Sequence, residues 1–149
     1  MIELLAIDPG PKQSGYAHLC GGVIVWSGVA DNEDILQMLE AQGAPQVAIE
    51  KIESYGMAVG ADIFETCVWT GRMIQACAVP EEVIRVPRKT VKLHLCGSQK
   101  AKDANIRQAL IDRIGPQGTK RDPGPTYGVK SHAWAALAVA VTVLDGAAK

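Results

Sequence analysis

Short apolar runs shape the first third of the chain, and helical spacings take over later. Residues 4–8 (Leu-Leu-Ala-Ile-Asp) read as a short buried strand that stops at the turn signal Pro9-Gly10-Pro11. Residues 15–20 and 23–29 give two more strands, joined by Gly21-Gly22, a dipeptide that accepts the positive φ of a tight hairpin. Three antiparallel strands are therefore expected first. Asp31-Asn32-Glu33-Asp34 puts a cap and negative charge at the start of a helix running to about residue 42, with Ile35, Leu36 and Leu39 on its apolar side and Gly43 as its stop. Residues 47–50 are apolar up to Glu50 and short enough for a central strand. The next helix is expected over about residues 59–78, with Phe64, Cys67, Val68, Gly71, Ile74 and Ala78 forming its buried face. Residues 83–86 give a fifth strand, stopped by Pro87.

Beyond that point the pattern is helical. Residues 88–95 and 102–114 both read as helices, the second with Ile106, Leu110 and Ile114 stacked at i+4 and Asp103 paired with Arg107 on another face. Residues 115–128 form a loop with four Gly, three Pro and the Lys120-Arg121 pair, and a structureless stretch of that length in a small domain points to function or mobility. The final helix, over residues 131–145, is apolar nearly all round and should be packed on several sides. The resulting order, β-β-β-α-β-α-β-α-α-α, is a mixed sheet with helices on its faces. At 149 residues, the chain is expected to be one domain, 1–149, with a core that needs no staples.

Composition narrows the class. Apolar residues at 48% and charged ones at 21% exclude a disordered or fibrous chain. The longest apolar run, from Ala133 to Val141, is nine residues, under half of the roughly 20 that cross a bilayer. The start Met1-Ile2-Glu3-Leu4 has neither the basic flank nor the cleavage site of a leader. No membrane partner and a cytoplasmic location are therefore expected. Cys20, Cys67, Cys77 and Cys96 sit among apolar neighbours without close pairing and read as reduced core thiols. The net charge of −1 hides an asymmetry: residues 1–84 carry three basic side chains against twelve acidic ones, and residues 85–130 carry eleven basic against three acidic. A polyanionic partner is the functional reading, and a solvated basic face is the plain one.

Two carboxylates carry the candidate chemistry. Asp8 closes the first strand and Glu50 the fourth, each behind residues that should be buried. If those strands are parallel neighbours, both acids emerge together at the carboxyl ends, where ligands bind in open α/β sheets. Two acids there repel unless a divalent cation neutralises them, and oxygen ligands suit Mg²⁺ or Mn²⁺. The alternative is that strand-terminal acids turn to solvent.

The residues also carry a resemblance. Ala6-Ile7-Asp8-Pro9-Gly10 with Ser14-Gly15-Tyr16, then Ala48-Ile49-Glu50, and a last helix with Ala136-Leu137-Ala138-Val139-Ala140 resemble the RuvC-type Holliday junction resolvases. Ser54-Tyr55-Gly56-Met57, Phe64-Glu65-Thr66-Cys67 and Lys102-Asp103-Ala104-Asn105-Ile106-Arg107 resemble their phage and prophage branch. The resemblance runs from Leu4 to about Leu144. It implies a ribonuclease H-like fold, a five-stranded mixed sheet of order 3-2-1-4-5 flanked by helices, which makes Asp8 and Glu50 neighbours. It also implies a homodimeric, divalent-metal-dependent endonuclease that makes paired nicks across a four-way DNA junction, in a bacterial or phage-infected cell and without a nucleotide cofactor.

Position by position, Asp8 and Glu50 match the family's first two acidic ligands. The family's last helix usually opens with Asp, two residues, then a second Asp, and this chain has His132 and Ala135 there. His132 as a third ligand tilts the preference toward Mn²⁺ or serves as a proton shuttle. Glu53, Asp103 or water is left to fill the fourth position. The reaction so implied is in-line hydrolysis of a phosphodiester with two metal ions per site, Asp8 bridging both. Lys102, or Lys100, matches the basic segment that the family places before its penultimate helix and is the candidate to offset charge in the transition state. Arg88, Lys89, Lys92, Lys100, Lys102, Arg107, Lys120 and Arg121 form a footprint suited to backbone phosphates, which positions DNA without reading sequence. Tyr55 and Met57 are placed to wedge against an unstacked base at the branch point.

Three other readings are open. A branched-DNA binder with little or no catalysis would keep the fold and lack a ligand at Ala135. Asp8-Pro9-Gly10 with Ser14-Gly15 also resembles the phosphate-binding turn of actin-like kinases, which clamp ATP between two domains. The His-Leu-Cys triplets at 18–20 and 94–96 formally supply four zinc ligands, spaced more tightly than those of structural zinc motifs.

Overall fold

The structure of the protein is a computed structural model that describes residues 1–41 and 45–148. Strands β1 (Glu3–Asp8), β2 (Gln13–Cys20) and β3 (Val23–Asp31) form an antiparallel meander whose β2–β3 turn uses Gly21 and Gly22 at φ 59° and 82°. Helix α1 (Asn32–Glu40) leads to β4 (Gln46–Lys51), parallel to β1. Helix α2 (Ala61–Ala76) and a 3-10 turn at Pro80–Glu82 lead to β5 (Ile84–Pro87), parallel to β4. Helices α3 (Arg88–Cys96), α4 (Asp103–Ile114) and α5 (Ala133–Leu144) complete the chain. The sheet order is β3-β2-β1-β4-β5, the 3-2-1-4-5 order expected of a ribonuclease H-like fold. The helix stop assigned to Gly43 lies outside the described residues.

The central strands divide their side chains between two cores, because alternate residues of a strand point to opposite faces. Leu4, Ala6, Ala48 and Val86 pack with α5, Val91 of α3, and Ile106 and Leu110 of α4. Leu5, Ile7, Val47 and Ile49 pack with Ile35, Leu36 and Leu39 of α1 and Met73 of α2. Every residue from Ala136 to Thr142 is buried, as the all-round apolar pattern of α5 predicts. Its alanines let the helix lie close to β1, β2 and β4.

Four expectations need correction. Helix α2 buries Thr66, Thr70 and Met73, and it exposes Phe64, Cys67 and Val68, the face expected inside. The threonine hydroxyls donate to the carbonyls of Asp62 and Thr66 at 2.7 and 2.8 Å, so they enter the core with their polar atoms satisfied. Asp103 pairs with Arg88 of α3 and not with Arg107. Residues 115–128 hold no long element, yet they are pinned. Thr119 and Asp122 exchange backbone hydrogen bonds at 3.0 and 3.1 Å, and the buried Thr126 hydroxyl donates to the Gly115 carbonyl at 2.9 Å. The four cysteines are free, but only Cys77 is fully buried and Cys67 is exposed. No helix among the described residues is long and apolar enough to cross a membrane.

Candidate active site

Parallel pairing sets Ile7 opposite Ile49, so the next residues, Asp8 and Glu50, stand side by side at the carboxyl ends of β1 and β4. Asp8 falls on the same face as Leu4 and Ala6, and Glu50 on the same face as Ala48, so both turn toward the layer of α3, α4 and α5. The starts of those three helices converge there. Arg88 opens α3, Asp103 opens α4 and His132 caps α5. With Arg107, Ser131, Trp134 and Ala135 they line a cleft of about 480 Å³ beside the acids. A second groove on the other side is lined by Lys12, Gln13, Asp31, Asp62 and Thr66. An apolar cavity lined by Leu5, Met38, Val47 and Cys77 carries no comparable cluster of charge.

Local sequence accounts for this placement. The Pro9-Gly10-Pro11 turn is held by a buried network in which Gly10 N–H donates to Ser14 Oγ at 3.2 Å and Ser14 Oγ donates to Asn32 Oδ1 at 2.6 Å. Asn32 Nδ2 completes it by donating to the Gly10 carbonyl at 2.9 Å. The Ser14 hydroxyl, which a kinase-like phosphate turn would present to a ligand, is consumed in that network. A Cβ at Gly15 would lie 2.2 Å from the His132 carbonyl oxygen, so glycine is what allows β2 to receive the start of α5. Ser131, at φ 49°, is the one non-glycine residue in the left-handed region among the described residues, and it turns the chain into His132.

The electrostatics are those of an acid pair short of positive charge. Burial, then the charge and hydrogen bonding of Asp8, pushes the Glu50 carboxyl up to about 8, against the pull of Arg88. Burial raises Asp8 as well, opposed by its hydrogen bond with Glu50 and the charge of Arg88. Arg88 Nη1 donates to Glu50 Oε1 at 3.2 Å, and Nη2 donates to Asp103 Oδ1. Burial alone would lower the Arg88 guanidinium, but Glu50, Asp103 and Asp8 together hold it firmly charged. His132 Nδ1 lies 3.1 Å from Asp8 Oδ2, with the imidazole exposed to the cleft.

The donor chemistry fits a divalent cation: two buried carboxylates with raised proton affinity, beside an imidazole. Among the described residues, no three His, Cys, Asp or Glu side chains yet converge as a closed ligand set. Arg88 is the cation that Glu50 contacts directly, shared with Asp103.

The other sequence-predicted residues are distributed around this centre. Arg107 lines the cleft, its guanidinium 5.5 Å from the Trp134 ring centroid. Glu53 is drawn off by Lys51 and Lys89, at 3.6 and 3.8 Å, while Asp103 lines the cleft. Lys102 is the exposed N-cap residue of α4 and lies outside the cleft lining, and Lys100 borders a shallow groove with Asn105 and Asp112. Tyr55 and Met57 are exposed on the loop after β4, and Lys89 Nζ lies 6.0 Å from the Tyr55 ring. Lys92 is half-buried on α3, and Lys120 and Arg121 are exposed on the 115–128 loop. The histidines of the two His-Leu-Cys triplets are engaged separately, His18 by Glu3 at 2.8 Å and His94 by Asp145 at 2.6 Å.

Sequence reasoning missed the tie from Arg88 to the acids, the Trp134 wall and the Asn32 anchor. A signal for Arg88 was present. It follows directly on the fifth strand, whose Val86 pairs with Glu50 in parallel register.

No family model matches the chain, and no curated protein matches it. Solved structures do. RuvC of Thermus thermophilus superposes with a TM-score of 0.69 at 19% identity, over 99% of this chain and 99% of that one. RuvC of T. thermophilus in complex with a Holliday junction substrate superposes with a TM-score of 0.73 at 19% identity, over 100% of this chain and 99% of that one. At that identity the likeness establishes the RuvC-like, ribonuclease H-like fold over the full length.

Proposed function

We propose that the protein is a divalent-metal-dependent, structure-selective DNA endonuclease that resolves four-way junctions by paired nicks. One observation carries the reading: Asp8 and Glu50 meet at adjacent parallel strand ends, largely buried, in a fold shared with a protein solved on a Holliday junction. Asp8 and Glu50 would hold divalent cations, with His132, whose Nδ1 lies 3.1 Å from Asp8 Oδ2, beside them at the start of α5. Mg²⁺ or Mn²⁺ bound there would supply water activation and charge stabilisation at the leaving 3′ oxygen. Arg107 faces an incoming phosphate across the cleft. Lys89, Lys92, Lys100, Lys102, Lys120 and Arg121 extend the contact along the DNA backbone, and Tyr55 and Met57 offer an apolar wedge at the branch point.

A four-way junction is two-fold symmetric, so paired nicks require two sites. We infer a homodimer joined through the exposed apolar stripe of α2, where Phe64 is 62% and Val68 57% exposed. The wording of the middle segment favours the phage branch and the cytoplasm of a bacterial or infected cell.

A branched-DNA binder without catalysis is favoured by one observation, the absence of a carboxylate at Ala135. Incubating a labelled four-way junction, a flap and a linear duplex with Mn²⁺, Mg²⁺ or chelator, and resolving the products on a denaturing gel, separates the two. Symmetric, metal-dependent nicks in the junction support the nuclease. Tight junction binding that persists in chelator, with intact strands under every metal, supports the binder.

A further inference from the structure

Arg88 is unusual among the basic side chains of the 85–130 segment, because it is directed inward. Its fork spans two carboxylates on separate elements, Glu50 at the end of β4 and Asp103 at the start of α4. Its backbone is fixed one residue beyond β5, whose Pro87 pairs with Lys51, so the guanidinium is delivered to the same strand end as the acids. Its side chain is 31% exposed, against 87% for Asp103, so the Glu50 half of the bridge is the shielded half. Ala135 lines the same cleft of about 480 Å³ and adds only a methyl group to it.

We propose that Arg88 is a resident counter-ion that competes with the divalent cation for Glu50: metal binding trades the guanidinium off Glu50, and Asp103 retains it at the cleft mouth. The proposal rests on the nuclease reading in requiring that a cation bind the acid pair. Its physical basis is that a guanidinium and a divalent cation at contact distance from one carboxylate repel each other, and the interior screens that repulsion weakly. An acid pair left bare would pay for its mutual repulsion in stability, and a built-in arginine holds the empty site together until the ion arrives. Asp103 thereby has a task without being a ligand. It is the second anchor that keeps the displaced guanidinium where a phosphate would enter.

The test is Mn²⁺ binding by the full chain without DNA, read from the paramagnetic signal of the free ion and by calorimetry, for wild type, Arg88→Gln and Arg88→Lys. Thermal melting in chelator and in saturating Mn²⁺ is read in parallel. Removing a competing charged hydrogen bond should tighten Mn²⁺ binding by roughly tenfold in Arg88→Gln. Arg88→Lys, which keeps the charge but cannot span both carboxylates, should fall between. Arg88→Gln should melt below wild type in chelator and regain the difference in Mn²⁺, a rescue that a purely structural role would not give. Equal or weaker Mn²⁺ binding by Arg88→Gln, with wild type still binding, overturns the competition and leaves the nuclease reading standing. Absence of binding by all three proteins overturns both.

Discussion

At the scale of single residues, the site is an exchange of stability for charge. Asp8 and Glu50 are held against each other where neither is well solvated, and Glu50 is pushed up to about 8 as a result. Asp8→Asn and Glu50→Gln should therefore cut junction cleavage by ~10³-fold while leaving junction binding intact, read by denaturing gel and mobility shift. In chelator Asp8→Asn, which leaves the Arg88–Glu50 pair in place, should melt higher, by about 2–4 °C for each kcal/mol of burial cost and repulsion relieved. A variant that still cleaves, or an Asp8→Asn protein that melts lower in chelator, would contradict this account of the pair. Both acids were legible in the sequence because each ends a short apolar run. His132 came in only through the resemblance, because a histidine at the start of an apolar helix reads by itself as a cap. The tie of Arg88 to Glu50 and Asp103 was hidden because a basic residue in a basic segment reads as DNA contact. The partner of Asp103 is fifteen residues away in sequence and touches it only through the fold.

Among the elements, α2 shows where periodicity misleads. Two stripes run along it, Phe64-Val68 and Thr66-Thr70-Met73, and hydrophobicity alone selects the first. The fold buries the second because threonine can return its hydroxyl to the preceding turn and present a methyl group to the core. At the far end of the other helical layer, Asp145 ties three helices together. It caps the C-terminus of α5, where the helix dipole disfavours an anion, and it accepts hydrogen bonds from His94 of α3 and Arg113 of α4. Burial pushes its carboxyl up, but the bonds from His94 and Arg113 outweigh that and hold it below the usual carboxylate range. A carboxyl lowered by folding contributes stability above its unfolded pKa, about 3.9, and loses that contribution as pH falls through the folded value. Asp145→Asn should thus lower the melting temperature by about 2–4 °C at pH 7, with the gap closing below about pH 4. A gap that persists undiminished at pH 3 would mean that packing, not charge, is what the residue contributes.

Across the whole molecule, the charge asymmetry in the sequence becomes a spatial one. The acidic first part builds the meander, α1 and α2, and the basic segment builds α3, α4 and the pinned loop. Helices α3 and α4 join α5 on the sheet face toward which both acids turn. The number and sequence of elements were legible from pattern alone. The strand order was not, because alternation says which residues are buried and not which strands are neighbours, and it came only through the resemblance. The exposed stripe of α2 is the matching question for assembly. Phe64→Glu and Val68→Glu change side chains that are mostly exposed, so they should leave the melting temperature of the protomer within about 1 °C while converting a dimer to a monomer in sedimentation. A wild-type monomer, or a dimer indifferent to both changes, would place the second site elsewhere.

The most direct measurement is anomalous diffraction at the manganese edge from crystals soaked in Mn²⁺. The account predicts a peak between Asp8 and Glu50, within roughly 2.1 Å of an oxygen of each, and its loss in Asp8→Asn. Ordered crystals with strong manganese peaks elsewhere and none at that pair would contradict it.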